Sequence, residues 1–193
     1  MRAQPTTTAP LLRRAAAAAF VAAAGALALA QPAAADQLED FLAGRTKDCP
    51  GCDLNHAELK RRDLSGANLA GANLTYATLH EAKLGGADLS NAILIDANLN
   101  LADLRRANLK GADLSRALAY GANFAGADLS GAVLKQAKLQ TADFTSAKLP
   151  GANLQEADVR LARAARADMT DAIVAYVQGE RLHAADANFT RAN

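Results

Sequence analysis

The sequence has few of the side chains that most often build catalytic centres and metal sites. Its 193 residues include no tryptophan, and the only histidines are His56, His80 and His183. The histidines are scattered without the paired spacing of zinc ligands. The short motifs of serine hydrolases, zinc metalloproteases and phosphate-binding loops do not occur in the sequence. We therefore predict that the protein is not an enzyme and uses no metal or cofactor.

Neither sign of charge is in excess. The chain has 21 Lys and Arg residues against 20 Asp and Glu residues, a formal net charge of +1. Domains that bind nucleic acid through its phosphates are usually strongly basic, so this balance predicts no nucleic-acid partner. After residue 35 no stretch approaches the roughly 20 apolar residues that a spanning helix needs. We therefore expect no stable membrane insertion of the mature chain.

The longest apolar run lies at the amino end. Arg2, Arg13 and Arg14 precede an uncharged stretch over residues 15–30. A basic region, a short apolar region and small residues before a cleavage point are typical of a secretory signal peptide. The small residues here end just before Asp36, so residues 1–35 are predicted to be a signal peptide. The route, general secretory or twin-arginine, is left open, and the mature protein is expected to be periplasmic or secreted.

Most of the remaining sequence repeats every five positions. With Leu54 as the first centre, centres recur without a slip to Phe189, which makes 28 repeats. Leucine occupies 18 of the centres, and alanine occupies 24 of the 28 positions two before a centre. A step of five fits neither the 3.6-residue turn of a helix nor the two-residue period of a strand. The chain must therefore turn once in every repeat to keep these residues inside, which predicts a solenoid.

The repeats, of the form A-(D/N)-L-x-x, resemble those of the pentapeptide-repeat family, here in an exported member. The similarity covers residues 52–191. It implies an all-β solenoid over residues 52–193, namely a right-handed quadrilateral β-helix with four repeats in each of about seven coils. It also implies that every fourth centre stacks, so that Phe124 lies against Phe144.

A short helix is predicted to precede the coils. Asp36 can act as its N-cap, Leu38, Phe41 and Leu42 make one apolar stripe, and Gly44 can end it. The open end of a solenoid exposes apolar side chains and unpaired backbone groups. We therefore predict that residues 36–51 cap the amino end.

Cys49 and Cys52 are the only cysteines and are separated by Pro-Gly. Cys52 occupies an alanine position of the first repeat and is therefore expected in the interior. Export to an oxidising compartment favours a structural disulfide between the two. A reduced buried pair, and redox or metal chemistry by this pair, are the alternatives.

Large apolar residues at outward positions indicate a possible partner surface. They are predicted to form a patch on two neighbouring faces near the third and fourth coils. Isolated surface apolar residues without a function are the alternative. The residues are Ile93, Ile95, Leu101, Leu118 and Tyr120.

Four basic residues close together in the sequence are predicted to be solvated surface rather than an anion site. They are Arg105, Arg106, Lys110 and Arg116.

The last repeats indicate a second contact surface. The sequence stops in mid-repeat after Phe189, without a segment that resembles a lid. Unpaired edges at an uncapped solenoid end can pair with a second copy, and a two-fold contact of identical ends closes the assembly. This predicts a homodimer through coils six and seven, with Phe189 at the contact.

Three functions from different classes follow. The favoured one is an exported, non-catalytic repeat protein that acts as a structural scaffold or as a binding surface for an unknown protein partner. The second, implied by the family resemblance, is a DNA-mimicking, topoisomerase-binding protein, which requires a cytoplasmic location and a strongly acidic surface. The third is a redox-responsive regulator that uses Cys49 and Cys52.

Overall fold

A computed structural model of the protein describes residues 34–193, which form one helix followed by a long series of coils. The helix, α1, spans Ala34–Leu42. It begins two positions before the predicted N-cap, and Asp36 instead lies in its first turn. The predicted signal peptide, apart from its last two positions, lies outside the described residues.

Gly44 ends the helix in the predicted way. Its φ is +75°, a conformation that glycine adopts without a side-chain clash. The N–H of Gly44 donates to the carbonyl of Phe41 at 3.0 Å, and the N–H of Arg45 donates to the carbonyl of Asp40 at 2.8 Å. These two bonds form a Schellman motif, which satisfies the last helical carbonyls and turns the chain toward the coils.

Each coil consists of four repeats and has four sides. Parallel backbone bridges join the residue before each centre to its counterpart four repeats later, from Asp53 with Asn73 to Asp168 with Asn188. We name the sides by their repeats, each of which runs from two positions before its centre to two positions after it. Sides A, B, C and D contain the centres that recur every four repeats from Leu54, Leu59, Leu64 and Leu69, respectively.

The backbone pairing differs in one respect from the predicted all-β solenoid. Within residues 34–193 the coils are joined by single-residue bridges and form no extended strand. Two of the five residues in each repeat lie in a turn, so only three run along a side. The middle of these three residues forms hydrogen bonds with the coil before it. Asn73, for example, donates its N–H to the carbonyl of Cys52 (2.9 Å) and accepts a bond from the N–H of Leu54 (2.7 Å). The residues on either side of the middle one bond to the coil after it.

The corner after each centre is a β-turn. In the first repeat the N–H of Ala57 donates to the carbonyl of Leu54 at 3.0 Å, and His56 has a φ of +57°. The residue two positions after the centre has a positive φ in all 28 repeats. Positive φ at the third residue is the feature of a type II turn, and glycine is favoured there. We call this residue the corner residue.

The Asp and Asn residues before the centres stabilise these turns. The Oδ1 atom of Asp53, for example, accepts a hydrogen bond from the N–H of Asn55 at 3.2 Å. All 16 Asp and Asn residues at this position make the same bond. They are Asx turns, in which a short carboxylate or amide satisfies a nearby backbone donor. Nine of these residues are aspartates, so turn formation accounts for nine of the 20 carboxylates of the sequence.

The interior consists of the centres and the alanines two positions before them. Both positions are buried from the second coil through the fifth. Phe124 and Phe144 stack with their ring centroids 4.9 Å apart and their planes 2° apart, which confirms the predicted stacking of every fourth centre. Ala119 precedes Phe124 in the same coil, so a small centre lies beside a large one.

The amino end of this interior is covered by α1. Phe41 is fully buried, and the guanidinium carbon of Arg62 lies 4.8 Å from the centre of its ring. Arg62 also donates a hydrogen bond to the carbonyl of Phe41. Arg62 occupies an alanine position of the repeat pattern, and its contact with Phe41 explains this departure from alanine.

Candidate partner-binding surface

The exposed large apolar side chains are concentrated on sides A and B. Eight of the ten in the described residues lie there, and the other two are Leu42 in α1 and Phe189 in the last coil. Sides C and D of coils one to six, as far as the structure describes them, have none. The eight are Tyr76, Ile93, Ile173 and Tyr176 on side A, and Leu101, Leu118, Tyr120 and Leu161 on side B.

Three of the five predicted surface residues lie together on side B. The N–H of Leu101 donates to the carbonyl of Tyr120 in the next coil at 2.9 Å. Leu118 precedes Tyr120 by two positions on the same side. The other two, Ile93 and Ile95, lie on side A, where Ile93 is exposed and Ile95 is half-buried. Whether these residues bind a partner stays a prediction.

The surface is larger than the sequence analysis indicated. Tyr76, Leu161, Ile173 and Tyr176 were not predicted, and they extend it from the second coil to the seventh. Tyr76 stacks on His56 of the coil before it, with ring centroids 4.9 Å apart. In rows of four repeats, Ile173 shares a column with Ile93, and Leu161 shares one with Leu101. Tyr76 and Tyr176 share a column that contains none of the predicted residues.

The corner residues also distinguish the two halves of the coil. In the 28 repeats, glycine occupies seven corner positions on sides C and D but only one, Gly121, on sides A and B. On sides A and B the corner positions instead carry residues such as Tyr76, Leu101, Leu161 and Tyr176, with φ between +57° and +60°. An L-residue in this conformation costs roughly 1–2 kcal/mol, and such strain clusters at functional sites.

Ion pairs connect the coils at several corners. Arg116 donates two hydrogen bonds to Asp96, at 2.9 and 2.6 Å, and the bond to this guanidinium lowers the pKa of Asp96. Asp158, which is only 2% exposed, accepts two bonds from Arg160, and these lower its pKa in the same way. Arg116 and Asp96 both lie at the corner of side A, and Arg160 and Asp158 both lie on side B.

The basic residues that are adjacent in the sequence do not form one cluster in the structure. Arg105 and Arg106 lie on side C, Lys110 on side D and Arg116 on side A. Arg105 pairs with Asp103 at 2.7 Å, and Lys110 pairs with Asp128 at 3.4 Å. This separation and pairing agree with the interpretation as solvated surface.

Cys49 and Cys52 meet where α1 joins the first coil. Their sulfur atoms are within bonding distance, and their Cα atoms are 5.3 Å apart. Cys49 is fully buried, and its N–H donates to the carbonyl of Asn68 at 2.8 Å, as the centres do in later coils. Hydrogen bonding of the repeat type therefore begins at Cys49, before the predicted boundary at Cys52. The oxidation state of the pair in solution stays a prediction.

The carboxyl-terminal coils enclose an apolar hollow of about 210 Å³. One centre that lines it, Ala164, is smaller than the leucine found at most centres. Phe189 lines the hollow and is 41% exposed, unlike the buried Phe124 and Phe144. The hollow is also lined by Phe144, Leu154, Val159, Ala164, Met169, Val174, Val177 and Leu182.

Residues 34–193 contain no group of three or more His, Cys, Asp or Glu side chains placed to hold a metal ion. The single helix of this part, α1, is too short to cross a bilayer, and no other helix is present there.

The repeats match the profile of the pentapeptide repeats, in eight copies over residues 52–91, 82–118, 122–160 and 137–174. None of the curated proteins is significantly similar to the chain. Among solved structures it is similar to HetL, a pentapeptide repeat protein involved in heterocyst differentiation regulation in the cyanobacterium Nostoc sp. strain PCC 7120. The identity is 27%, the match covers 76% of each chain, and the TM-score is 0.63.

Two further solved structures show weaker similarity. A pentapeptide repeat protein from the Arabidopsis thaliana thylakoid lumen is 27% identical over 53% of this chain and 65% of its own, with a TM-score of 0.39. QnrB1, a plasmid-mediated fluoroquinolone resistance protein, is 19% identical over 72% of this chain and 83% of its own, with a TM-score of 0.26. Neither supports a functional inference.

The profile match covers more than half of the chain, and the similarity to HetL extends over three quarters of it. Proteins with these repeats fold as right-handed quadrilateral β-helices and are generally non-catalytic. The chain belongs to the pentapeptide-repeat family and is a non-catalytic repeat scaffold.

Proposed function

We propose that this protein is an exported scaffold that binds a protein partner through sides A and B of a right-handed quadrilateral β-helix. The observation that carries the proposal is the concentration of eight exposed apolar side chains on these two adjacent sides. Tyrosine is enriched at the energetically important positions of protein interfaces. The backbones of Leu101 and Tyr120 are held by the hydrogen bonds between coils, so little backbone freedom is lost when a partner binds.

The backbone strain at the corner residues of sides A and B also supports a partner-binding role for this surface. Glycine at the corner residues of sides A and B would relieve strain, as it does at seven of the 14 corners of sides C and D. Tyrosine and leucine at these positions add apolar area to the surface at a cost in stability. A contact with another molecule explains this combination better than folding does.

A comparison of captured proteins tests the proposal. The double variant Leu118→Ser/Tyr120→Ser removes two exposed apolar side chains from side B, and Lys148→Ser on side D is the control. We expect wild type and control to capture a common protein from a periplasmic extract, and the double variant to lose it. Equal capture by all three proteins, quantified by mass spectrometry, would contradict the proposal.

Export is the second part of the proposal and rests on the basic and apolar segments before Asp36. The mature protein is expected to begin at Asp36. Intact mass spectrometry of protein from fractionated cells measures this directly. A cytoplasmic protein that retains Met1 would overturn the assignment.

The cysteine pair is proposed to be oxidised after export. Alkylation of the native protein is expected to modify neither Cys49 nor Cys52, and alkylation after denaturation and reduction is expected to modify both. Two thiols that react without prior reduction would show that the pair is free, and would favour the redox-responsive alternative.

The apolar hollow and the exposed Phe189 motivate a further proposal, a homodimer formed through coils six and seven. Pairing of two such ends would cover Phe189 and the surrounding side chains. Topoisomerase binding by DNA mimicry is not proposed, because carboxylates such as Asp96 and Asp158 are paired with arginines, and the net charge is close to zero.

A further inference from the structure

A groove of about 570 Å³ runs along the boundary between sides A and B in coils four to seven. Its volume is within the range of about 300–1,000 Å³ that is typical of ligand sites. One wall consists of corner residues of side A, and the other belongs to side B. The principal residues are Arg116, Gln136, Glu156 and Tyr176 on the first wall, and Leu118 and Lys138 on the second.

The length of the groove fits a short extended peptide. The corner residues from Arg116 to Tyr176 belong to four successive coils, and the bridged coils lie about 4.8 Å apart, so the groove is roughly 14 Å long. An extended chain advances about 3.3 Å per residue, so about four peptide residues span this length. The glutamine side chain of Gln136 on the wall can bond to a peptide backbone.

The charges of the groove select the kind of peptide. Arg116 is bound by Asp96 through two hydrogen bonds, and the carboxylate of Glu156 accepts a bond from Gln136 at 2.9 Å. Lys138 forms no ion pair or side-chain hydrogen bond with any residue in the described part of the chain. The adjacent carboxylate of Asp158 is occupied by Arg160 and by Gln140, which donates to it at 2.6 Å. The ammonium group of Lys138 therefore remains available to an anionic ligand.

Apolar side chains flank this ammonium group. Leu118, in the coil before Lys138, is 44% exposed, and Tyr176 is 82% exposed. When a bound peptide covers these apolar side chains, less water reaches the ammonium group, and its pairing with a bound carboxylate is strengthened. A ligand that satisfies all three residues has both a carboxylate and apolar groups.

We propose that this groove binds an extended peptide segment of the partner, in which an Asp or Glu side chain pairs with Lys138 and neighbouring apolar side chains contact Leu118 and Tyr176. The inference rests on the proposed function, because it assumes that sides A and B bind a protein. It specifies the chemistry of the bound segment and the residue that recognises its charge.

Lys148 provides a matched control for Lys138. It occupies the same position of its repeat in the same coil but lies on side D, across the coil. Like Lys138 it is exposed and has no ion pair within the described residues. Replacing either lysine by glutamate changes the net charge equally, so a difference between the two variants reports the location of the charge.

The experiment uses a phage-displayed library of random heptapeptides, selected on the purified wild-type protein. Enriched peptides are synthesised, and their affinities for wild type, Lys138→Glu, Lys148→Glu and Leu118→Ser are measured by fluorescence anisotropy. We expect enriched peptides to carry Asp or Glu beside apolar residues. Lys138→Glu, which juxtaposes like charges, should weaken binding by about tenfold or more, whereas Lys148→Glu should change it by less than about twofold.

A second measurement separates charge from shape. Replacing the acidic residue of the peptide by its amide should also weaken binding to wild type, but should no longer weaken binding to Lys138→Glu.

Equal affinities of all peptides for Lys138→Glu and Lys148→Glu, or enrichment without acidic residues, would overturn the inference. If such neutral peptides still lost affinity for Leu118→Ser, the proposed partner surface would stand while the acidic specificity failed. If no peptide were affected by either side B variant, both proposals would be contradicted.

Discussion

At the scale of single residues, the corner residue has the most strained backbone conformation of the repeat, and its residue type varies most. It has a positive φ in every repeat, yet glycine occupies it mainly on sides C and D. Gly121 is the exception on side B. A Cβ atom there would lie 2.8 Å from Cδ2 of Leu101, so that a larger residue would displace this leucine. The contact with an exposed apolar neighbour thus favours glycine at this corner, in addition to its positive φ.

Thr141 is the strained corner residue whose replacement should be most informative. It is β-branched and has a φ of +59°. We expect Thr141→Gly to raise the free energy of unfolding by about 0.5–1 kcal/mol, because the relieved strain exceeds the entropy cost of glycine. Urea unfolding measures the change. Thr75→Gly is the control, because Thr75 is not at positive φ and its hydroxyl donates to Asn73 at 2.7 Å. It should instead lower stability, and stabilisation by both variants would contradict the argument from strain.

The core register also leads to a prediction for single residues. Leu134 is fully buried, and the next residue, Lys135, is exposed. Leu134→Asp places a carboxylate without a partner in the apolar interior and should abolish cooperative unfolding. Lys135→Asp should change stability by no more than about 0.5 kcal/mol. Circular dichroism melts compare the two, and similar melting temperatures would show that the assigned register is incorrect.

At the scale of elements, α1 and the first coil act as one unit. Phe41 fills the space beneath the coil and is held there by Arg62, while the neighbouring Leu42 is 50% exposed. We expect Phe41→Ala to weaken this unit by about 3 kcal/mol, as for other buried phenylalanines, and Leu42→Ala to have little effect. Hydrogen exchange should accelerate in α1 and near Cys52 for the first variant only. Equal protection in both variants would mean that α1 is not a cap.

The Asx turns and ion pairs make the coils sensitive to acid. The pKa of Asp63 is lowered from 3.8 to about 2, first by the hydrogen bond from the N–H of Ser65 and then by those from the Ser65 hydroxyl and Lys47. The hydroxyl of Thr170 lowers the pKa of Asp168. A folded-state pKa below the unfolded value means that the stabilisation is complete above pH 3.8 and is lost as the pH falls toward 2. We therefore expect the urea midpoint to fall across this interval.

Asp168→Asn tests the origin of the acid sensitivity. The amide oxygen of the variant can still accept the turn bond from Thr170, but it does not titrate. The fall in the urea midpoint should therefore be smaller than in wild type. An identical fall would show that Asp168 does not contribute to it.

At the scale of the whole molecule, the two ends of the coil differ. The amino end is covered by α1, whereas the last coil leaves Phe189 exposed beside an apolar hollow. We expect light scattering to give twice the monomer mass, and Phe189→Asp to shift the protein toward monomer because it places a charge in the contact. Leu118→Asp, on side B in coil four and at similar exposure, is the control and should remain dimeric. A wild-type protein that is monomeric at high micromolar concentration would exclude the dimer.

Much of the fold was predictable from the sequence because the repeat is a local property. Leu54 and the later centres, with the alanines two positions before them, were assigned to the interior from their spacing alone. The exceptions were less predictable. Arg62 contradicts the alanine pattern because it contacts Phe41, which lies in α1, well before the repeats begin. The repeat-type bonding of Cys49 was missed because a cysteine before Pro-Gly does not match the repeat consensus.

The sequence by itself determined the turn in every repeat and the identity of the interior residues, since both depend on contacts within one repeat. Only the tertiary structure decided how far the apolar surface extends and which charges are left unpaired on it. Tyr76 and Tyr176 lie five coils apart along the chain and share a corner because each coil closes after four repeats. Lys138 is available because Arg160 and Gln140 occupy the carboxylate of Asp158 beside it. Such pairings depend on side-chain geometry between coils, which a pattern confined to one repeat does not encode.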